Sequence, residues 1–325
     1  MLNGKSVLIT GGTGSFGKQF TRIILQRYPA IRRIVIFSKS PGKQQQMAAE
    51  LPDSRIEYIA GNMASATDVE KACKDIDIVV HTAAMRIVPE AENDPFGCIC
   101  TNVSGAQNLI DSALKNNVKQ ILALSTDMAS LANNVYGATK MLSDKLFIAA
   151  FREHPQLKTS VIRYGNMFGS AGTVIPFFIK KAKEDGVLPV THPGMTRFMA
   201  TLEDCAGIAL NVLETAKGGE IVAPKIRSYN IMTIAQAVDA NANTKTVGLR
   251  PGEKLYEEMI TRYDSFNTIE AADSYIIVPP YADKEEYCLH YSAHPVAVGF
   301  EFNSENNPRK FTVAEIQEMI GNSRL

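Results

Sequence analysis

A run of aliphatic and β-branched residues, Ser6-Val7-Leu8-Ile9-Thr10, leads without a break into Gly11-Gly12-Thr13-Gly14-Ser15-Phe16-Gly17, and helical periodicity follows over Lys18 to Gln26. Few folds accept glycines at this spacing between a buried strand and a helix. The first lets the chain turn tightly, the second brings backbone N–H groups up to a pyrophosphate, and the third lets the helix lie close on the strand. A glycine pattern alone says little, but one placed in a strand–turn–helix unit predicts a dinucleotide site. Gly11, Gly14 and Gly17 are therefore the first candidate cofactor-binding residues.

The alternation continues along the chain. Arg33 to Phe37, Ile56 to Ala60, Ile76 to His81, Gln120 to Ser125 and Thr159 to Arg163 read as strands. Helices are expected between them at Gln44 to Glu50, Ala66 to Lys74, Val103 to Asn116 and Tyr136 to Arg152. This order predicts an α/β fold, a Rossmann-like doubly wound parallel sheet that binds ligands at the C-terminal ends of its strands. Past residue 165, Pro176, Pro189, Pro193, Pro224 and Pro251 cut the chain into shorter elements, with helices expected at Leu202 to Thr215, Ile234 to Ala240, Lys254 to Ile260 and Val313 to Ile320. The chain thus divides into a dinucleotide-binding Rossmann domain over 1–165 and a smaller C-terminal substrate-binding lobe over 166–325, part of it packing back on the first domain.

Composition narrows the partners. With 34 Lys+Arg against 34 Asp+Glu the formal charge is +0, which gives no electrostatic reason to expect nucleic acid or a membrane surface. The five Cys are odd in number and lack framework spacing, so free thiols in a reducing compartment are expected, and with them a cytoplasmic location. No apolar run approaches the ~20 residues of a membrane span. Cys98 and Cys100 face opposite ways on a helix, and His81, His154, His192, His290 and His294 are scattered, so no metal site is expected. His81 reads as a satisfied core histidine at a strand end.

The end of the second strand separates NAD from NADP, because an acid there accepts from the ribose 2′-hydroxyl and repels a 2′-phosphate. Here stand Ser38, Lys39 and Ser40, with Lys43 following, a set that favours NADP, with NAD as the alternative. The catalytic signal lies further on. Ser125 and Thr126 end a strand, Asp127 and Met128 follow, and Tyr136 and Lys140 are one helical turn apart. An ammonium beside a phenol lowers its pKa and makes it a usable base, while the Thr126 hydroxyl holds the same substrate oxygen. Asp127 adds a second proton site, or else simply caps the following turn.

With these residues in place the chain resembles the extended short-chain dehydrogenase/reductases, and within them the inverting UDP-N-acetylglucosamine 4,6-dehydratases of pseudaminic acid and polysaccharide biosynthesis. The resemblance rests on the glycine turn, Val88-Pro89 through Asn93-Asp94-Pro95-Phe96, Thr101-Asn102-Val103 and Tyr136-Gly-Ala-Thr-Lys140. It continues through Arg163-Tyr-Gly165-Asn166, Val174-Ile-Pro176-Phe-Phe, Met195-Thr-Arg197-Phe and Val247-Gly-Leu-Arg250-Pro251-Gly252-Glu253-Lys254. It implies a UDP-hexosamine substrate and a homo-oligomer, dimer or hexamer. Arg250 and Glu253 would grip the nucleotide, and Arg86, Asn166 and Thr191 would position sugar and phosphates. It adds Thr13, Ser15, Phe16, Asn62, Met63, Thr82, Ala84 and Met167 to the cofactor set, together with Tyr136 and Lys140.

By the same resemblance Thr126, Asp127, Tyr136 and Lys140 carry the oxidation at C4 and the loss of water across C5 and C6. The family's base for the C5 proton is a Lys directly after that Asp, and this chain has Met128 there. A thioether accepts no proton, and a positioned base is worth ~10²–10⁴-fold. Other departures are Asn62-Met63, Ala64 and Ala171. The expected activity is 4,6-dehydration with C5 inversion through another base. The alternatives are C4 epimerisation or reduction, one half of a split dehydration–epimerisation, or a weakly active nucleotide-sugar-binding paralogue.

Overall fold

The structure, a computed structural model, describes residues 1–170, 173–241 and 243–323. β1 (Ser6–Thr10), α1 (Ser15–Arg27), β2 (Arg33–Ser38), α2 (Pro41–Glu50), β3 (Ile56–Ala60), α3 (Ala66–Cys73) and β4 (Ile78–His81) come first. The chain then crosses through α4 (Val88–Asn93), α5 (Pro95–Ile99), a π-helical turn at Cys100–Ser104 and α6 (Gly105–Lys115) to β5 (Gln120–Thr126). α7 (Val135–Glu153) leads on to β6 (Lys158–Tyr164).

These six strands lie in the order β3-β2-β1-β4-β5-β6, all parallel, so the winding reverses between β1 and β4. The doubly wound sheet expected from the strand–helix alternation is present. Helices cover both faces, which is why β1 is buried at every position. Successive side chains of β1 serve opposite cores: Val7 and Ile9 pack with Phe20 and Ile24, and Leu8 packs with Leu109 and Ala113.

Past β6 the chain alternates between a second layer and the main sheet. β7 (Asn166–Met167), α8 (Val174–Glu184), β8 (Val187–Val190) and β9 (Thr196–Ala200) begin that layer, and α9 (Leu202–Thr215) returns to pack on α1. β10 (Ile221–Pro224) lies parallel beside β6, so the chain division at residue 165 does not divide the sheet. β11 (Arg227–Asn230), α10 (Ile231–Val238) and β12 (Asn243–Thr246) return to the second layer. β13 (Glu258–Ile260) is followed by β14 (Thr268–Glu270), β15 (Ser274–Ile277), α11 (Lys284–Tyr291), β16 (His294–Pro295), β17 (Phe302–Asn303) and α12 (Val313–Gly321). β15, β14 and β16 extend the main sheet antiparallel beyond β10. The second layer has its own core around Ile175, Phe178, Ile234 and Ile316.

The segment Lys254 to Ile260, expected as a helix, is a bend at Leu255 and Tyr256 followed by the strand Glu258–Ile260. β13 pairs with β17, and Met259 and Ile260 are both fully buried, which a one-sided helix at a surface would not allow. A strand partner 42 residues further on overrides a modest local helical signal, with Ile260 lying opposite Phe302.

The glycine turn gives a direct test of this packing. A Cβ at Gly17 would run into the Gly12 backbone, whereas one at Gly42 meets nothing within 4 Å. Gly17→Ala is expected to lose about 1–3 kcal/mol in urea unfolding. Gly42→Ala, in α2, is expected to be neutral or slightly stabilising.

Candidate functional site

The cradle is built from backbone. Gly11 has φ +66°, and a Cβ there would stand 2.8 Å from the backbone of Ala83 and 2.9 Å from Thr82 Oγ1. Gly14 caps α1 without a side-chain hydrogen bond, and the first turn of α1 holds no acidic residue. A Cβ at Gly14 would meet only Gly11 O, at 3.2 Å. Uncapped N–H groups at the positive end of a helix, approached by a glycine-rich turn, fit a pyrophosphate. Thr13 and Ser15 are half-buried in this turn. The Phe16 ring is buried and stacks on Phe20 at 5.6 Å, so only its backbone faces the cradle. Thr82 Oγ1 donates to Thr10 O at 2.7 Å, fixing the strand exit that leads to half-buried Ala84.

At the end of β2, Gln44 Nε2 donates to Ser38 Oγ at 3.2 Å and to Ile59 O at 2.8 Å. Ser40 caps α2 by accepting from Lys43 N, and the side chains of Lys39 and Lys43 are exposed with no ion-pair partner among the described residues. Asn62 is exposed, but Met63 is a packing residue: its side chain is buried against α6 and its carbonyl accepts from Asn108 Nδ2 at 2.9 Å. His81 is likewise buried, with Nδ1 2.8 Å from Thr10 Oγ1, and burial pushes its pKa down to about 3, so it is neutral.

The hydroxyl and carboxyl expected to act together do meet. Thr126 ends β5 and caps a short 3-10 turn at Asp127–Ala129. Its Oγ1 donates to Asp127 Oδ1 at 3.0 Å, and Met128 N donates to the same carboxylate oxygen at 3.0 Å. Asp127 is buried, and desolvation pushes its pKa up to about 6 against the pull of Thr126, Arg197, the Met128 N–H and Lys254. Tyr136 is half-buried at the start of α7; burial pushes its pKa up, Thr126 and Arg86 pull it down, and the Asp127 charge pushes it up further. α7 comes this close because residue 137 is glycine: any Cβ there would strike the Met128 carbonyl.

Lys140, expected to pair with the phenol, also has backbone and carboxylate neighbours. Its buried Nζ donates to Leu124 O at 2.8 Å, and its neighbouring charge is Asp144, which in turn accepts from Ser125 Oγ at 2.8 Å. Lys140 therefore secures the end of β5, while Arg86 is the cation that draws on the phenol. The loop carrying Arg86 is held by buried Asn102 in the π-helical turn, whose Oδ1 accepts from Met85 N at 2.8 Å and whose Nδ2 donates to Thr139 Oγ1 at 3.0 Å.

The second layer carries the remaining candidate groups. Asn166 on β7 donates through Nδ2 to Tyr229 Oη at 3.0 Å, and Met167 follows it, half-buried. Arg250 N donates to Glu253 Oε2 at 3.0 Å in a turn tied to the start of α7 by Asn134 Nδ2 and Gly252 O, 3.0 Å apart. Thr191 is turned onto Met195, with Oγ1 3.3 Å from Sδ. Ala171 lies outside the described residues.

Sequence reasoning gave no role to Arg197, Lys254, Glu257 or Tyr229. Lys254 Nζ donates to Ser130 O at 2.6 Å, and Arg197 Nε stands 3.7 Å from Glu257 Oε1. Arg197 and Lys254 lie inside motif stretches quoted for the resemblance, which was the available signal. Glu257 was hidden in the segment misread as a helix.

Comparison with known proteins agrees with this geometry. The profile of a family described as polysaccharide biosynthesis protein matches residues 7–279. A UDP-N-acetylglucosamine 4,6-dehydratase (inverting) of Campylobacter jejuni subsp. jejuni serotype O:23/36 (strain 81-176) is 42 % identical, with 99 % of each chain covered. A UDP-glucose 4-epimerase of Rickettsia bellii (strain OSU 85-389) is 33 % identical over 98 % of this chain and 96 % of that one. Among solved structures, Pen from Bacillus thuringiensis superposes with a TM-score of 0.90 at 32 % identity, covering 99 % of this chain and 98 % of that chain. This chain belongs to the polysaccharide biosynthesis protein family and is an extended short-chain dehydrogenase/reductase.

Proposed function

We propose that this protein is an NADP-dependent 4,6-dehydratase acting on UDP-N-acetylglucosamine or a close derivative through a 4-ketone. One observation carries the reading: Thr126 Oγ1 donates to the buried Asp127 carboxyl, and the Tyr136 phenol lies within reach of the influence of both. C4 epimerisation or reduction uses the phenol and the cofactor but gives no work to an acid behind Thr126. Loss of the C6 hydroxyl requires one. The 42 % identity to an inverting 4,6-dehydratase over 99 % of the chain supports the same reading.

In this mechanism Tyr136 accepts the C4 hydroxyl proton while its own passes through Thr126 to Asp127. Asp127 then gives that proton to the departing C6 hydroxyl, which leaves as water. When bound, the nicotinamide supplies the acceptor for hydride from C4 and the donor of hydride to C6. The proton taken from C5 returns to C5, from the opposite face if that centre inverts, so the sum is the 4-keto-6-deoxy sugar and one water. Met128 cannot take the C5 proton, and Tyr136 already carries the C4 proton, so we assign that step to a water beside the phenol, which takes the proton and returns it. Arg86, Asn166 and Thr191 position sugar and phosphates, and Arg250 and Glu253 hold the nucleotide. Exposed Lys39 and Lys43, with no acid at the end of β2, support NADP over NAD. A homo-oligomer in the cytoplasm belongs to the same proposal.

Incubation with UDP-N-acetylglucosamine and NADP⁺ is expected to give a 6-methyl signal by NMR; a C4 epimer or unchanged substrate would overturn the reading. Tyr136→Phe is expected to lower turnover ~10²–10⁴-fold. Met128→Lys is expected to raise dehydration by orders of magnitude, and no change would place the C5 base elsewhere. Lys39→Ala with Lys43→Ala should weaken NADP binding several-fold by fluorescence titration and leave NAD binding unaltered.

Asp127 also makes a stability prediction. Its carboxyl keeps its proton up to about pH 6 in the folded chain, against an ordinary value of 3.8. The folded state therefore binds the extra proton between these values, and stability present below 3.8 is lost as the pH rises through 6. Asp127→Asn, which keeps the shape without the charge, is expected to gain ~1–3 kcal/mol in urea unfolding at pH 8 and little at pH 4, while losing dehydration.

A further inference from the structure

Three residues on one stripe of α7 meet the last residues of β5 and the turn after it. Residues 137, 140 and 144 are spaced i, i+3 and i+7, so they share one face of the helix. Gly137 lets the helix backbone lie on the Met128 carbonyl. Lys140 Nζ donates to Leu124 O at 2.8 Å, and Asp144 Oδ2 accepts from Ser125 Oγ at 2.8 Å. Leu124, Ser125, Thr126 and Asp127 are consecutive, so both contacts fall immediately before the hydroxyl and carboxyl of the proposed chemistry. The two neighbouring hydroxyls are thereby separated: Thr126 Oγ1 turns to Asp127, whereas Ser125 Oγ turns to α7. Asp144 is 2 % exposed, and its Oδ1 has no hydrogen-bond partner among the described residues. A carboxyl buried at a helix–strand contact costs free energy that an aliphatic residue there would not. Ser125 offsets part of that cost, as do the cations of Lys140 and of Arg163, which lies opposite Ser125 on β6. In return a hydrogen bond fixes a direction, which aliphatic packing on the same face does not.

We propose that Ser125 and Asp144 are positioning residues for the phenol step: their hydrogen bond is the second polar fastening of α7 to the end of β5, and it sets where Thr126 stands against Tyr136. The use of this placement rests on the dehydratase reading, but the fastening itself does not. A single contact at Lys140 would leave α7 free to pivot about it. The Gly137 approach and the Ser125–Asp144 bond, about one turn to either side, remove that freedom. Both residues act through Thr126 and Tyr136 and take no proton themselves. Their leverage is large, because a displacement of about 1 Å at reacting groups costs up to ~10²-fold in rate.

Ser125→Ala alone would strand a buried carboxyl, so the test is the double variant Ser125→Ala with Asp144→Leu, which removes both partners together. Its Tm is expected to stay near that of the wild type, while cofactor reduction in a single turnover with UDP-N-acetylglucosamine and NADP⁺ slows ~10-fold. Substrate affinity should stay within about two-fold, because the groups assigned to nucleotide and sugar are not altered. Asp144→Asn keeps an acceptor for Ser125 and should retain the rate within about three-fold. Ser125→Cys, which keeps the shape with a weak donor, takes the place of the double variant if that does not fold, and is read in the same way. An unchanged rate in the folded variant overturns the proposal, and so does an equal loss of rate in Asp144→Asn. A lowered Tm with an unchanged rate per bound cofactor makes the pair merely structural and overturns it as well. If the wild-type protein reduces no cofactor with this sugar, the dehydratase reading fails by itself. The fastening is then judged by amide hydrogen exchange at Asp127–Ala129: faster exchange in the variant at unchanged Tm supports it, and equal exchange overturns it.

Discussion

The approach of α7 to the turn after β5 is the contact on which the rest of the site depends. A glycine at position 137 lets the helix backbone lie directly on the Met128 carbonyl, where any side chain would strike it. That closeness brings the Tyr136 phenol to Thr126 and, through Thr126, to Asp127. Asn134 performs two tasks at the same junction. Its side chain caps α7 by accepting from Gly137 N, and its Nδ2 holds Gly252 O in the turn of Arg250 and Glu253. Lys254 then closes the loop onto Ser130. The two halves of the chain are thus joined where the chemistry is, by hydrogen bonds to backbone carbonyls.

Burial sets the electrostatics at this junction. Desolvation is the largest influence on Asp127, Tyr136, Lys140, Asp144 and Glu257 alike, and in each case it favours the neutral form. Charged neighbours then act as corrections of either sign. For the carboxyls of Asp127 and Glu257 this brings the charged and neutral forms closer together near neutral pH than at an exposed carboxyl. It also means that the site is held at some cost in stability, in keeping with the strained electrostatics common where function is carried. Lys140 has a part in this that spacing alone does not convey: it ties down the Leu124 carbonyl and balances Asp144 beneath the helix.

Much of the molecule was legible in the sequence for local reasons. The strand–glycine–helix start, the strand–helix alternation and the two helical neighbours Tyr136 and Lys140 all follow from short-range periodicity and turn chemistry, and the sheet order agrees with them. Phe16 and Met63, expected among the cofactor-binding residues, have side chains buried in the core, which their place in the sequence does not convey. Spacing fixes where a residue lies along an element and not which way the surrounding packing turns it.

What the sequence by itself determined was the class of fold, the phosphate-binding turn, the Thr126–Asp127 pair and the absence of a basic side chain at 128. These depend on residue identity and on neighbours a few positions away. Tertiary structure alone decided that Arg197 and Lys254 flank the buried Glu257, that β10, β15, β14 and β16 extend the main sheet, and that Glu258–Ile260 is a strand. Each of these depends on a partner far along the chain, where the energy of burial and pairing exceeds any local preference.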